Sequence, residues 1–232
     1  MEMEISNRKN LILAADDFGA SERANRNILF LISMGKIDRV AIMTNGQMTE
    51  KEIGELSQSG VKLDIHLDLT SKNNGEKTPI FHVRIGKFIW DYLFGKYASK
   101  KVELEWSEQI EKFKELFGKY PDGINSHEHI HFFPTFFKII LKLQEKYPIP
   151  YLRFATDSVL KAKSPVSLVL RTLRKISYKK FASSDFVSSN HLISLDWIEN
   201  IEEFLDKPPM GSIEIVCHPH RAEEFVLTKD NF

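Results

Sequence analysis

Several common features are rare or absent in this sequence of 232 residues, and each absence excludes a class of protein. Its single cysteine, Cys217, excludes an intramolecular disulfide framework and is typical of a protein from a reducing compartment. No apolar stretch is long enough to span a membrane, and the acidic start at residues 1–4 differs from a basic signal peptide. We therefore expect a cytoplasmic protein without a membrane span.

The sequence also has no excess of charge of either sign, because 32 acidic residues balance 32 basic ones. A polyanion such as nucleic acid is attracted by a broad positive field, which this balance does not provide. A local basic run at 171–180 is compatible with a nucleic-acid patch, but we interpret it as a solvated helix face. We expect no nucleic-acid partner.

Apolar side chains, in contrast, are plentiful, with 42% hydrophobic residues and 17 phenylalanines. A chain of this length and composition predicts one packed domain over residues 1–232. Short apolar runs alternate with helical patterns, which predicts an α/β fold with a parallel sheet and right-handed crossovers. With about seven strands in a chain of this size, we predict a closed or nearly closed β/α barrel rather than an open sheet.

The individual elements follow from hydrophobic periodicity and from capping residues. Ser21 is the expected N-cap of the first helix, and Thr49 with Glu52 forms a capping box for the second. A loop predicted at about 71–85 is long enough to be a binding loop. The predicted strands are 11–15, 39–43, 61–70, about 124–132, 151–155 and 212–217, and the predicted helices are 21–35, 49–60, 107–117, one starting at Pro134, 165–176 and 197–205.

The most informative pattern is the alternation of three histidines, His127, His129 and His131, which follow Asn125. The side-chain period of a β-strand is two, so these four residues are expected to line one face of a strand. Imidazoles are poor core material, but a neutral imidazole can bind a metal or transfer a proton. An isolated pattern of this kind is equally compatible with a solvated strand face, so its interpretation depends on the rest of the sequence.

Polar side chains collect at the ends of four predicted strands. In chain order they are Asp16 with Asp17, His66 with Asp68, the histidines at 127–131, and Glu214 with His218. The carboxyl ends of parallel barrel strands form the active site of such folds. One of two neighbouring carboxylates can ligate a cation while the other takes a proton from water, and two imidazoles with a carboxylate leave coordination positions open. The pattern predicts metal-assisted hydrolysis.

These motifs resemble the YdjC-like carbohydrate deacetylases, a family that includes chitooligosaccharide deacetylases and the hopanoid-associated HpnK proteins. ADDFG at 15–19 combined with H-x-D-L-T and S-H-x-H-x-H is highly specific, although no single motif is. The matching segments run in order along most of the chain, and they are 15–19, 64–70, 125–134, Glu214 and 217–219.

The resemblance implies a distorted, TIM-like β/α barrel that removes the acetyl group from an N-acetylated sugar. It also implies one divalent cation, Mg²⁺ or Zn²⁺. By resemblance, Asp17, His66 and His127 match the metal ligands, and Asp16 matches the catalytic base. His218 is the candidate acid that protonates the leaving amine.

The remaining polar groups near the strand ends are expected to contact the substrate, and orienting a carboxylate is an alternative role for Arg153. These groups are Asp68, His129, His131, Arg153 and Glu214. Same-face residues of a strand lie roughly 6.5–7 Å apart, so one cation cannot take all three histidines, and we place His129 and His131 farther along the strand. Asp16 and Asp17 are neighbours on an extended backbone, so we expect them to point to opposite sides and to take different roles.

The sequence departs from the family pattern at Asn125, where an aspartate is common, and at His220, which replaces the glycine expected after His218-Pro219. Two other functions stay open, namely phosphoester hydrolysis on a similar barrel and sugar binding without turnover. The number of bound metal ions would distinguish phosphoester hydrolysis from deacetylation. Acetate release that depends on Asp16 would exclude sugar binding without turnover. An aromatic-rich chain of this size often self-associates, which leaves a homo-oligomer open.

Overall fold

The computed structural model describes residues 10–69 and 98–232, in which strands and helices alternate. The strands are β1 (Leu11–Phe18), β2 (Arg39–Ile42), β3 (Lys62–Leu67), β4 (Gly123–Ser126), β5 (Tyr151–Leu152), β6 (Ser158–Val159), β7 (His191–Ser194) and β8 (Ile213–Cys217). The α-helices are α1 (Glu22–Ser33), α2 (Glu50–Gln58), α3 (Ser99–Phe117), α4 (Pro134–Lys146), α5 (Pro165–Phe181), α6 (Ile201–Asp206) and α7 (Ala222–Asn231). Two 3-10 segments, His127–Phe132 and Leu195–Trp197, follow β4 and β7.

The strands form one parallel sheet in the order β5-β4-β3-β2-β1-β8-β7-β6. The two terminal strands, β5 and β6, are each two residues long. The Val187 N–H donates to the Pro150 carbonyl at 2.9 Å, and the Leu152 N–H donates to the Val187 carbonyl at 3.0 Å, so β5 is bridged to the segment that leads into β7. The predicted β/α barrel is confirmed in a distorted form, with eight strands among the described residues rather than about seven.

Local sequence signals set several helix ends as predicted. The Ser21 hydroxyl accepts a hydrogen bond from the Ala24 N–H at 3.2 Å, which caps α1. Thr49 and Glu52 form the reciprocal capping box of α2. At the far end of α3, Gly118 adopts φ 68°, a left-handed conformation that glycine reaches without a steric penalty. The two predicted caps and the predicted end of the 107–117 helix are confirmed.

The structure differs from the sequence-based prediction where elements are short or mixed in polarity. Helix α3 begins at Ser99, well before the predicted start at 107, and α5 continues beyond 176 to Phe181. The segment at 197–205 is not one helix, because a 3-10 turn precedes α6 and Asn200 caps α6. The pattern does not predict β6 or β7, since two to four residues are too few to show a strand period, and it does not predict helix α7. The loop predicted at 71–85 lies outside the described residues.

The predicted histidine strand is wrong. Strand β4 ends at Ser126, opposite Leu67 at the end of β3, so no neighbouring strand is available to continue the pairing. The next residues form a 3-10 turn in which Glu128 and His129 are left-handed, each with φ 54°. The Ser126 hydroxyl accepts a hydrogen bond from the His131 N–H at 2.9 Å and closes this turn. Alternate histidines therefore do not share a strand face.

Aromatic packing holds the turn after β4 against the helical layer. The rings of Phe132 and Phe154 stack with centroids 5.6 Å apart, and those of Phe154 and Phe181 stack at 4.5 Å. Phe181 is the last residue of α5, so the stack ties this turn to that helix.

Across the described ranges, no helix is both long and apolar enough to cross a membrane.

Candidate metal centre

The end of β1 brings two adjacent carboxylates to the same side. Asp17 adopts φ 70°, and the register of β1 against β2 shifts between Ala15 and Phe18. As a result, the Nε2 atom of His66 lies 3.4 Å from an Asp17 carboxylate oxygen and 4.0 Å from an Asp16 oxygen. The prediction that the two aspartates point to opposite sides is wrong, because it assumed an extended backbone at Asp17. A non-glycine residue in this conformation costs about 1–2 kcal/mol, which marks the position as one where geometry matters.

Asp17 collects two imidazoles from two other strand ends. His66 belongs to β3, and His127 is the first residue after β4. The Nδ1 atom of His127 lies 3.1 Å from the Asp17 oxygen that faces His66, and one ligand atom from each of the three residues lies within 4.8 Å of the others. Tetrahedral ligands at about 2.0–2.2 Å from one Zn²⁺ are themselves roughly 3.4 Å apart. The predicted convergence is therefore present, and the spacing fits one cation.

The orientation of the His66 ring is set by Asn125. The Nδ1–H of His66 donates to the Asn125 side-chain oxygen, and both residues are buried. Since Nδ1 is the nitrogen bonded to Asn125, Nε2 is the ring nitrogen that faces Asp17. A partner on the far ring nitrogen that fixes the tautomer is typical of a metal-binding histidine.

Burial and mutual attraction act in opposite directions on the charges of this cluster. Burial alone would raise the pKa of Asp17, but the hydrogen bonds and charges of His127 and His66 hold it well below its usual range. Burial would lower the pKa of His127, but the hydrogen bond and charge of Asp17 raise it to about 9. Without a cation, Asp17 and His127 thus form a carboxylate–imidazolium pair at neutral pH.

Asp16 has a different set of partners. Its two carboxylate oxygens accept hydrogen bonds from two nitrogens of the fully buried Arg153 guanidinium, at 2.6 and 2.8 Å. Burial would raise the pKa of Asp16, but the charges of Arg153 and His66 and the Arg153 hydrogen bonds lower it to about 2. Arg153 also donates to Glu214 at 2.6 Å, and Glu214 accepts from the Tyr151 hydroxyl at 2.6 Å.

These contacts continue into the barrel interior. The Arg39 guanidinium lies 3.9 Å from the centroid of the Tyr151 ring and forms two hydrogen bonds with Asp64, at 2.5 and 2.8 Å. A Cβ atom at Gly123 would lie 2.5 Å from the Asp64 carboxylate and 2.6 Å from Arg39, so only glycine leaves room for this ion pair. Contacts through Tyr151 and Arg153 therefore connect buried charged residues of β2, β3 and β8 to Asp16.

Sequence comparison shows the family of this chain. Residues 10–230 match the family described as YdjC-like protein. This chain belongs to the YdjC-like family. A carbohydrate deacetylase from Clostridium beijerinckii is 26% identical to it, over 96% of this chain and 86% of the relative. A chitooligosaccharide deacetylase from Escherichia fergusonii is 29% identical, over 90% of this chain and 81% of the relative.

A solved structure has the same fold as this YdjC-like protein. It is a crystal structure of a protein from Enterococcus faecalis V583, provisionally named a cellobiose-phosphate cleavage protein. The TM-score is 0.68 at 20% sequence identity, and the match covers 95% of this chain and 90% of the other. At this identity, the likeness supports the barrel architecture and nothing finer.

His218 lies where the candidate acid was expected, directly after β8. Its Nδ1 atom is 3.2 Å from a carboxylate oxygen of Glu224, a buried residue of α7. The same oxygen accepts the His218 backbone N–H at 2.7 Å. Sequence reasoning missed Glu224, since an acidic residue in the first turn of a helix is ordinary and gives no separate signal.

His131 and Glu214, both predicted to contact substrate, have protein partners on every polar side-chain atom. The ring nitrogens of His131 lie 2.7 Å from the Ser126 hydroxyl and 2.8 Å from the Arg153 carbonyl. Both oxygens of Glu214 are taken by Tyr151 and Arg153. Both residues contact Arg153 and help to fix its position.

Three further side chains lie at the margin of the centre. His129 is in the left-handed turn, and its Nδ1 atom has no hydrogen-bond partner within the described ranges. The backbone of Asp68 is held by two hydrogen bonds with the Gln109 side chain, at 2.8 and 3.0 Å. The Nδ1 atom of His220 lies 3.7 Å from the second oxygen of Asp17. The sequence analysis noted His220 only because it replaces a glycine of the family pattern.

Proposed function

We propose that this protein is a divalent-cation-dependent deacetylase that removes the acetyl group from an N-acetylated sugar and releases acetate and a free amine. The observation that carries the proposal is the convergence of Asp17, His66 and His127 beside a second, separately held carboxylate, Asp16. The names of the carbohydrate and chitooligosaccharide deacetylases among its relatives support the substrate class. We treat residues 1–232 as one catalytic domain.

Asp17, His66 and His127 would hold the cation. Two imidazoles with one carboxylate favour Zn²⁺ over Mg²⁺, which prefers oxygen ligands. When bound, a divalent cation supplies Lewis-acid polarisation of the attacking water and of the acetamide carbonyl. The hydrogen bond from His66 to Asn125 occupies Nδ1, holds the ring in place and leaves Nε2 as the nitrogen that faces the cation.

Asp16 and His218 divide the proton transfers in this proposal. Asp16 is ionised at neutral pH, and the two contacts from Arg153 fix its direction while leaving other lone pairs free. It orients the attacking water and accepts its proton as the C–O bond forms. His218 donates a proton to the nitrogen as the C–N bond breaks.

The proposal is tested by measuring acetate release from N-acetylglucosamine oligomers, with and without a chelator. We expect release that the chelator abolishes and that added Zn²⁺ restores. Phosphate release from phosphorylated sugars is measured in parallel, and so is binding of the oligomers. Phosphate release without acetate would replace the proposal with phosphoester hydrolysis. Binding without either product would replace it with sugar binding.

Replacing Asn125 by alanine should lower the affinity for Zn²⁺ by about 10–100-fold, the usual effect of removing a partner that orients a ligand histidine. The variant removes the acceptor of the His66 Nδ1–H and leaves all three ligands in place. Competition with a chromophoric chelator measures the affinity. Asn231→Ala, which removes a hydrogen bond to the Leu227 carbonyl in α7, is the control and should bind like the wild type. Unchanged affinity in Asn125→Ala would contradict this role.

Affinity for Zn²⁺ should also increase with pH. The pKa of His127 is about 9 in the cation-free site, so at neutral pH the cation must displace a proton from it. Asp17 adds no such dependence, because its pKa is already well below neutral. We expect affinity to rise by about tenfold per pH unit between pH 6 and 8. Calorimetry in buffers of different ionisation enthalpy counts the released protons, and a count of zero would exclude this coupling.

A further inference from the structure

The side chain of Glu224 contacts His218 at two points. One oxygen lies 3.2 Å from Nδ1 of the His218 ring and 2.7 Å from the His218 backbone nitrogen. Glu224 is only 3% exposed, so this contact is shielded from water. A carboxylate accepts hydrogen bonds and does not donate them, so Nδ1 must carry its proton toward Glu224.

Glu224 is itself held firmly. Its other oxygen accepts a hydrogen bond from Arg221 at 2.7 Å, and its backbone carbonyl accepts one from the Thr228 hydroxyl at 2.7 Å. It also lies in the first turn of α7, where the helix dipole stabilises a negative charge. The position and the ionised state of this carboxylate are thus both fixed by the surrounding structure.

The consequence concerns the second ring nitrogen of His218. With Nδ1 occupied by Glu224, Nε2 is the nitrogen left for substrate, and within residues 10–69 and 98–232 no hydrogen-bond partner engages it. Burial alone would lower the pKa of His218, but the hydrogen bond and charge of Glu224 and the charges of Asp17 and Asp16 raise it. An imidazole held in this way can carry a proton on Nε2 while keeping Nδ1 bonded.

We propose that Glu224 is a positioning residue that fixes His218 with Nε2 directed at the leaving amine. This inference rests on the proposed deacetylase function. As the C–N bond breaks, its electron pair stays on nitrogen, and that nitrogen takes the proton from Nε2. His218 is left neutral, Glu224 keeps its charge throughout, and the proton accepted by Asp16 returns to the imidazole through solvent.

A purely structural role for Glu224 makes a different prediction. If Glu224 only joined α7 to the end of β8, its loss would disturb every reaction of the site alike. If it positions the acid, its loss affects only substrates whose leaving group needs a proton. An acetylated amine needs one, whereas p-nitrophenyl acetate releases a stable phenolate that does not.

The experiment compares Glu224→Gln with Glu223→Gln, which removes an exposed carboxylate from the same turn of α7. Turnover is measured on an N-acetylglucosamine oligomer and on p-nitrophenyl acetate, in zinc-loaded protein of checked fold and metal content. For Glu224→Gln we expect kcat on the oligomer to fall roughly 10²-fold with little change in KM. On the ester we expect a change smaller than about threefold, and for Glu223→Gln no change on either substrate.

Two further measurements separate positioning from folding. Long-range ¹⁵N–¹H NMR of the imidazole should show Nδ1 protonated in the wild type, with altered ring-nitrogen shifts in Glu224→Gln. In a His218→Ala background, adding Glu224→Gln should cause no further loss on the oligomer, because a positioning residue acts only through its partner. Equal losses on both substrates, or full activity of Glu224→Gln on the oligomer, would overturn the inference. A wild type that releases no acetate would instead overturn the proposed function, and this inference with it.

Discussion

Replacing Asp16 by asparagine should lower acetate release by roughly 10²–10⁴-fold, the usual effect of losing a general base. The affinity for Zn²⁺ should stay close to that of the wild type, because Asp17, His66 and His127 all remain. Asparagine has nearly the same size as aspartate but cannot accept a proton at neutral pH. Acetate release and metal content are measured on the same folded samples.

Asp17→Asn is the matched variant for that experiment, since the substitution is the same at the adjacent residue. It should weaken Zn²⁺ binding, because Asp17 contacts both His66 and His127, and excess Zn²⁺ should partly restore activity. If the two aspartates merely ended β1, both variants would lose stability to a similar degree and keep their turnover per folded molecule. Normal turnover in Asp16→Asn would exclude the mechanism.

Replacing Glu214 by glutamine should destabilise the protein by about 3–5 kcal/mol, the usual cost of breaking a fully buried ion pair. Glu214 is fully buried and accepts hydrogen bonds from Tyr151 and Arg153. Without its charge, the fully buried Arg153 keeps only Asp16 as a counter-ion among the described residues. Urea unfolding measures the loss of free energy as a lower midpoint with an unchanged slope.

Glu199→Gln is the control for this measurement. It removes a carboxylate that pairs with Lys163 at an N–O distance of 2.9 Å, close to the 2.6 Å between Glu214 and Arg153. The Lys163–Glu199 pair, however, lies at the surface. Surface ion pairs contribute little, so the unfolding midpoint should hardly move. If Glu214→Gln shifts the midpoint no more than Glu199→Gln, then the charges inside the barrel do not support the fold.

The buried charge network also explains why Asp16 and Asp17 can differ in role although they lie together. Asp16 faces Arg153, a permanent cation, whereas Asp17 faces imidazoles, which can lose their protons. A cation can replace the protons around Asp17, but it cannot replace Arg153. The two neighbouring carboxylates are thus separated by their partners and not by the direction in which they point.

The family, the barrel and the three converging residues could all be predicted from the sequence. Apolar runs, caps at Ser21 and Thr49, and the stop at Gly118 are local signals, and local physics places those elements in the structure. The triad could be predicted because His66, His127 and Asp17 each lie at or just beyond a strand end, and parallel strands bring their carboxyl ends together.

The orientation of these residues, in contrast, depends on contacts that form only in the folded protein. The left-handed backbone of Asp17, Glu128 and His129 is costly in isolation, so it forms only where distant contacts compensate for the strain. Asp16 meets Arg153 across 137 residues of sequence and His131 meets the Arg153 carbonyl across 22, and no periodicity encodes such pairs. Glu224 lies only six residues from His218, yet the turn into α7 is what directs its carboxylate back onto the imidazole.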